Sequence, residues 1–131
     1  MIDIYTDGSC IPNPGPGGWA AIIVENGATR KLYGREDNTT NNQMEMLAAI
    51  QGIEALPTGV DVRVHSDSEY LVNTMTKGWK RKKNHSLWER LDREVAKRSV
   101  HWKWVKAHAG HPLNEMADRI ANAEARGEPH E

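Results

Sequence analysis

Four acids in this 131-residue chain, Asp7, Glu45, Asp67 and Asp118, stand where carboxylates can do chemistry. They come from four separate segments, and none has a basic neighbour in its own segment that would pair it off. Carboxylates that converge repel and cannot all stay ionised unless cations lie between them. An all-oxygen set, with no cysteine and with histidine only nearby, favours Mg²⁺ or Mn²⁺ over zinc. A shared pair of such ions is the apparatus for in-line displacement at phosphorus: one activates water, the other stabilises the leaving oxygen. His108, on the flexible side of Gly110, has more freedom to act. His111, just before Pro112, reads instead as structural at a helix start. Plainer readings exist for each acid taken singly: Asp7 could cap a turn, and Glu45 could complement a helix dipole. Spacing alone leaves convergence open against an ordinary α/β domain.

The surrounding pattern supplies elements able to position these side chains. Ile2, Ile4 and Thr6 alternate with Asp3, Tyr5 and Asp7, which predicts a strand with Asp7 at its carboxyl end. Residues 8–18, rich in glycine and proline, then predict a loop. Residues 19–24 predict a second strand, and Asn26-Gly27 a tight hairpin into a third strand over 29–34. Thr40 to Gln43 has capping-box form and opens a helix to about Leu56, with Glu45 in its first turn. Glu45 shares a sector of that helix with Ala48, Ala49, Gly52 and Leu56, a small-residue face suited to packing on a sheet. Residues 61–66 predict a fourth strand ended by Asp67, parallel to the first across a right-handed crossover. A short helix to about Thr76 follows, then a helix from a capping box at Ser86 to about Arg98 and a short fifth strand over 101–105. The last helix runs from Pro112 to about Arg126 before Gly127, with Asn114 and Asp118 four apart on one face. Residues 127–131 read as a frayed tail.

Length and composition indicate one α/β domain over 1–131, with 38% hydrophobic and 27% charged residues. No run is long enough to span a membrane, and the first strand begins at residue 2, leaving nothing for a targeting leader. One cysteine, Cys10, suits a reducing compartment, so a cytoplasmic protein is expected. The net charge of −1 argues against nucleic acid, but its distribution does not. Eleven Lys/Arg and three acids lie between Lys77 and Lys106, against six bases and fifteen acids elsewhere. Such segregation sets a polyanion-binding face beside an acidic site. Of the five tryptophans, Trp79, set among Lys77, Lys80, Arg81, Lys82 and Lys83, reads as a nucleic-acid contact, and most of the others read as core.

Several blocks carry a family resemblance. Thr6-Asp7-Gly8-Ser9-Cys10 followed by 13–18 resembles the first motif of type 1 ribonuclease H, and 40–45 is similar to its second. Ser66-Asp67-Ser68 with Tyr70 is similar to the third. Residues 105–112, with Asn114, Glu115 and Asp118, resemble its histidine loop and last helix. The blocks keep family order across almost the whole chain. The resemblance implies a ribonuclease H-like fold: a five-stranded mixed sheet, three antiparallel strands then two parallel, with helices on both faces. It implies endonucleolytic hydrolysis of the RNA strand of an RNA–DNA hybrid by two metal ions, leaving 5′-phosphate and 3′-hydroxyl ends, in a monomer. Asp7, Glu45, Asp67 and Asp118 would hold two Mg²⁺, with Mn²⁺ as a substitute, and His108 would shuttle a proton. Asn13, Asn41 and Asn42 would face the RNA strand with Cys10 nearby. Thr40 and Asn84 would hold a phosphate of the DNA strand, and Trp79 would line the DNA channel with Lys80, Arg81, Lys82 and Lys83 around it. Amide side chains both donate to and accept from the 2′-hydroxyl that distinguishes RNA from DNA.

The chain also departs from that pattern. Only residues 77–84 stand where many bacterial members have a longer basic insertion. Glu69 replaces a frequent glutamine, Asn38 a phosphate-binding arginine, and Ala107 a common glycine. The competing readings are a related metal nuclease acting on DNA, such as a resolvase, and a hybrid-binding module without catalysis.

Overall fold

A computed structural model describes residues 1–130. Its sheet is built from β1 (Ile2–Cys10), β2 (Gly15–Glu25), β3 (Ala28–Thr39), β4 (Asp61–Ser66) and β5 (Ser99–Trp104). The helices are α1 (Asn41–Glu54), α2 (Glu69–Lys77), α3 (His85–Ala96) and α4 (Pro112–Arg126). Strand order is β3-β2-β1-β4-β5, with β1–β2 and β2–β3 antiparallel and β1–β4 and β4–β5 parallel. This is the mixed sheet expected from the sequence.

The apolar run at residues 19–24 is continuous because β2 is buried on both faces. Ala21 and Ile23 join Ile2, Ile4, Val62 and Val64 under α1, with Trp88 and Leu91 of α3 closing the same core. Ala20 and Ile22 face the other way, against Ala117, Ile120 and Ala121 of α4. The small-residue face of α1 lies on the sheet as expected: Ala48, Ala49 and Gly52 are all buried, and Gly52 sits directly over Ile4.

Three differences from expectation bear on the site, each for a physical reason, while β5 starts two residues early at Ser99 and α1 and α3 each stop two residues short. First, β1 passes three residues beyond Asp7, and β2 begins inside the glycine run, pairing Gly17 with Cys10 and Gly18 with Ser9. A glycine run can carry a strand where neighbours press too close for side chains: a Cβ on Gly18 would lie 2.3 Å from the Ala121 carbonyl oxygen of α4. Second, β3 extends to Thr39 because that longer β2 offers it a partner, Gly15 pairing with Thr39. Third, α3 starts at His85, and its cap is Asn84 at φ 61° instead of Ser86. Of the segment expected to fray, residues 128 and 130 are tied back, and residue 131 lies outside the described residues. The Glu128 amide donates to the Ala123 carbonyl, and the His130 imidazole meets Glu124 at 3.0 Å and Tyr33 edge-on.

Candidate active site

Parallel pairing sets the first two carboxylates. Ile4 pairs with Val64 and Tyr5 with His65, so the same register carried two residues further brings Asp67 opposite Asp7. Asp7 is thus inside β1 and not at its end, while Asp67 sits just beyond β4. Glu45 arrives from the opposite side. It is the fifth residue of α1, past the first turn, so the dipole reading does not apply. What lets it reach Asp7 is Gly8: a Cβ there would fall 2.3 Å from the Glu45 nitrogen and 2.4 Å from the Met44 carbonyl carbon. Only glycine allows β1 and α1 to close to this distance.

One carboxylate oxygen from each of Asp7, Glu45 and Asp67 lies within 4.8 Å of the other two. Asp118, from the first half of α4, lines the same cleft beside Asp7 and Asp67. Asp7 is 6% exposed, and its Oδ1 accepts a 2.9 Å bond from the Gly8 amide. Glu45 is 9% exposed, and its Oε1 has no hydrogen-bond partner among the described residues. Burial, then the Asp67 charge, then Asp118 push the Asp7 carboxyl up to about 8. Burial and the neighbouring Asp7 and Asp67 charges hold Glu45 well above the usual carboxylate range. A buried acceptor without a donor, in an all-oxygen set, fits a hard divalent cation.

His108 lines this cleft from an exposed turn between β5 and α4, at φ 55° and two residues before Gly110 at φ 85°. His111 is the residue before α4, and its backbone carbonyl accepts the Glu115 amide while its side chain makes no cap. Asn114 lines the cleft too, with its Oδ1 buried and without a partner among the described residues. Its spacing from Asp118 was visible in the sequence, but its unpaired oxygen was not. Trp104 departs from the core reading of the tryptophans: it is 46% exposed, and its indole N–H donates to the Asp67 carbonyl at 3.2 Å.

The remaining residues form a surface around the β1–β2 loop and the starts of α1 and α3. Asn41 accepts the Cys10 amide through Oδ1 at 2.6 Å, and Asn13 Oδ1 accepts the Asn41 amide at 3.2 Å. Asn42 is exposed. The Cys10 thiol is buried, 3.2–3.3 Å from the carbonyl oxygens of Pro12, Gly15 and Thr39, so it braces the loop from inside. Thr40 caps α1 by accepting the Gln43 amide at 3.2 Å. Trp79 is 48% exposed just after α2. Lys77, Lys80, Lys82 and Lys83 are exposed, but Arg81 is engaged internally: it pairs with Asp92 and lies 4.9 Å over the Trp88 ring.

Comparison with known proteins places this arrangement. The RNase H family model matches residues 1–126. The chain is similar to a Ribonuclease H of Hahella chejuensis, 46% identical with 97% of each chain covered. It is similar to another of a Chelativorans species, 48% identical over 93% of this chain and 83% of that one. Among solved structures, LC9-RNase H1, described as a type 1 RNase H with the type 2 active-site motif, aligns with a TM-score of 0.82 at 32% identity, covering 98% of this chain and 73% of the other. LC11-RNase H1 in complex with an RNA/DNA hybrid aligns at 0.80 and 26% identity over 97% and 98% of the two chains. With the family model spanning nearly its whole length and the carboxylates converging as its motifs require, this chain belongs to the ribonuclease H family.

Proposed function

We propose that the protein is an endonuclease that hydrolyses the RNA strand of RNA–DNA hybrids, leaving 5′-phosphate and 3′-hydroxyl ends. The observation that carries this reading is the meeting of Asp7, Glu45 and Asp67 oxygens within 4.8 Å, with one buried Glu45 oxygen unpartnered. Family membership and the hybrid bound by the LC11 relative support the choice of substrate.

Asp7, Glu45, Asp67 and Asp118 would hold two Mg²⁺, or Mn²⁺ in their place, which supply Lewis-acid activation of water and charge neutralisation at phosphorus. The carboxylates fix where the scissile phosphate can sit, and burial of Asp7 and Glu45 keeps bulk water from that side. In the displacement a water oxygen bonds to phosphorus as the bond from phosphorus to the 3′ oxygen breaks. His108 is the group in reach that can hold a proton and deliver it toward that leaving oxygen, and its exposed turn permits the motion. Asn114, with a free buried oxygen in the cleft, orients donors there.

Binding falls to the surrounding surface. Asn13, Asn41 and Asn42 read the RNA strand; Asn41 Nδ2 has no partner among the described residues, while Oδ1 holds β1. Cys10 acts here through the loop it braces. Thr40 and Asn84 hold a phosphate of the DNA strand, Trp79 lines the DNA channel, and Lys80, Lys82 and Lys83 add counter-charge. Arg81 orders their segment through Asp92. The protein acts as a monomer in the cytoplasm; no helix among the described residues is long and apolar enough to cross a membrane.

The test is incubation of purified protein with an end-labelled RNA–DNA hybrid and, separately, duplex DNA, each with Mg²⁺ and with chelator. Cleavage confined to the RNA strand and dependent on Mg²⁺ is expected. Cutting of duplex DNA at equal rate would favour the DNA-nuclease reading, and binding without cleavage the non-catalytic one.

A further inference from the structure

Asn84 stands at the N-cap of α3, a place where asparagine ordinarily turns its side chain back onto the helix amides. Here it makes no such bond and holds φ at 61°, a left-handed conformation uncommon for a non-glycine residue. Its side chain is used elsewhere. Asn84 Oδ1 accepts from Gln43 Nε2 at 3.1 Å, and Asn84 Nδ2 donates to the Tyr70 hydroxyl at 3.1 Å. Gln43 Oε1 in turn accepts from the Thr39 hydroxyl at 2.8 Å. A chain of bonds therefore runs Thr39, Gln43, Asn84, Tyr70, joining the end of β3 to α1, α3 and α2.

The chain has a direction. In the sense observed, every link passes its proton toward Tyr70. One N–H of Asn84 and the Tyr70 O–H remain unspent. The Thr40 hydroxyl, accepting from the Gln43 backbone, keeps its own proton as well. With the second N–H of Gln43 Nε2, four donors are thus left at the junction of α1, α2 and α3, a donor-rich site that suits an anionic oxygen. Were the chain reversed, Asn84 would present its oxygen instead and repel the same ligand.

We infer that Gln43 is a positioning residue for substrate binding: it fixes the Asn84 amide so that the N–H, not the oxygen, faces a backbone phosphate of the hybrid. The inference rests on the proposed phosphate contact of Thr40 and Asn84. Gln43 acts through Asn84; it is half-buried and, two residues before Glu45, points to a different side of α1, so it leaves the chemical step alone.

The experiment is a double-mutant cycle in steady-state hybrid cleavage with Asn84→Ala, Gln43→Leu and the pair, melting temperatures being recorded alongside. Loss of one oriented hydrogen bond should raise KM roughly 3- to 10-fold in either single variant, with kcat within a few-fold. The pair should be no worse than Asn84→Ala alone. Gln43→Glu, which can only accept, forces the reversed sense. Its KM should exceed that of Gln43→Leu, and the ratio should persist as salt rises, where simple charge repulsion is screened. A raised KM in Asn84→Ala with none in Gln43→Leu, or effects that add in the pair, overturns the role given to Gln43. An unchanged KM in Asn84→Ala overturns the phosphate contact itself, and the inference with it.

Discussion

Asp67, just past β4, lies opposite Asp7 in the register of the parallel β1–β4 pair, and the two present carboxylate oxygens within 4.8 Å of each other. Strand pairing therefore enforces a like-charge contact that side-chain rotation alone would avoid. Glu45 completes the crowding because Gly8 admits α1 to the back of β1. The site is held together by the fold against its own electrostatics, and bound cations would relieve the repulsion.

Gly8 should be intolerant of any side chain. The methyl of Gly8→Ala would have to displace backbone atoms of Met44 and Glu45, so overpacking of about 1–3 kcal/mol or more is expected. Thermal denaturation should show a lowered Tm, and hybrid cleavage should fall with it. A wild-type Tm would mean that β1 and α1 are less tightly apposed than described.

The metal-free protein should lose stability as pH rises. Asp7 is held at about 8 against an ordinary 3.8, so its folded form prefers the proton. Its contribution is fully present below the unfolded value and is lost as pH rises toward and through 8. Glu45 acts in the same direction. Urea midpoints in chelator should fall as pH rises from about 4 to about 8, the unfolded and folded values of Asp7. Mg²⁺ should restore the loss at high pH, and Asp7→Asn should flatten the profile. An identical slope in that variant would contradict the assignment.

The two histidines should separate cleanly. His108→Ala should lower turnover by roughly 10²-fold, within the usual range for general acid–base catalysis. His111 is exposed and offers only its backbone to α4, so His111→Ala should keep turnover within a few-fold. Turnover measured for both at saturating hybrid decides the matter, and a reversed order would move the proton-transfer role to His111.

The lysines after α2 should act on binding and not on rate. Lys80, Lys82 and Lys83 are exposed and without an acidic partner among the described residues, unlike Arg81. Neutralising all three should raise KM and reduce the slope of log K against log salt by up to about two units. Cleavage positions should hold, since phosphate contacts carry no base information. Kinetics at several salt concentrations provide the check; an unchanged slope would make the segment an ordinary solvated loop.

Legibility in the sequence followed locality. The Asn26-Gly27 hairpin, β4 and the bounds of α4 depend on neighbours in the chain, and they were readable there. The four carboxylates were recognisable through motif spacing, although their convergence needed the sheet register. What stayed hidden depends on distant partners. The glycine run became strand because β1 and β3 pair with it and α4 presses on Gly18. Arg81 reads as a free cation until Asp92, in the second half of α3, claims it. Asn84 is marked as a phosphate contact by the resemblance, but nothing in the chain near it announces that Gln43 and Tyr70 take its amide. Trp104 alternates as core would, yet β5 is an edge strand and leaves its indole open.

The central claim is that the Asp7 cluster binds the cations on which hydrolysis depends. Its most direct test is the initial rate of cleavage of a labelled RNA strand, annealed to DNA, by wild-type protein and by Asp7→Asn across a Mg²⁺ titration. The wild type should be inactive in chelator and saturate with Mg²⁺. Asp7→Asn should remain folded, melt no lower than wild type without metal, and cleave at background rate at every Mg²⁺ concentration. Near-normal turnover by Asp7→Asn, or cleavage by the wild type in chelator, would contradict the account.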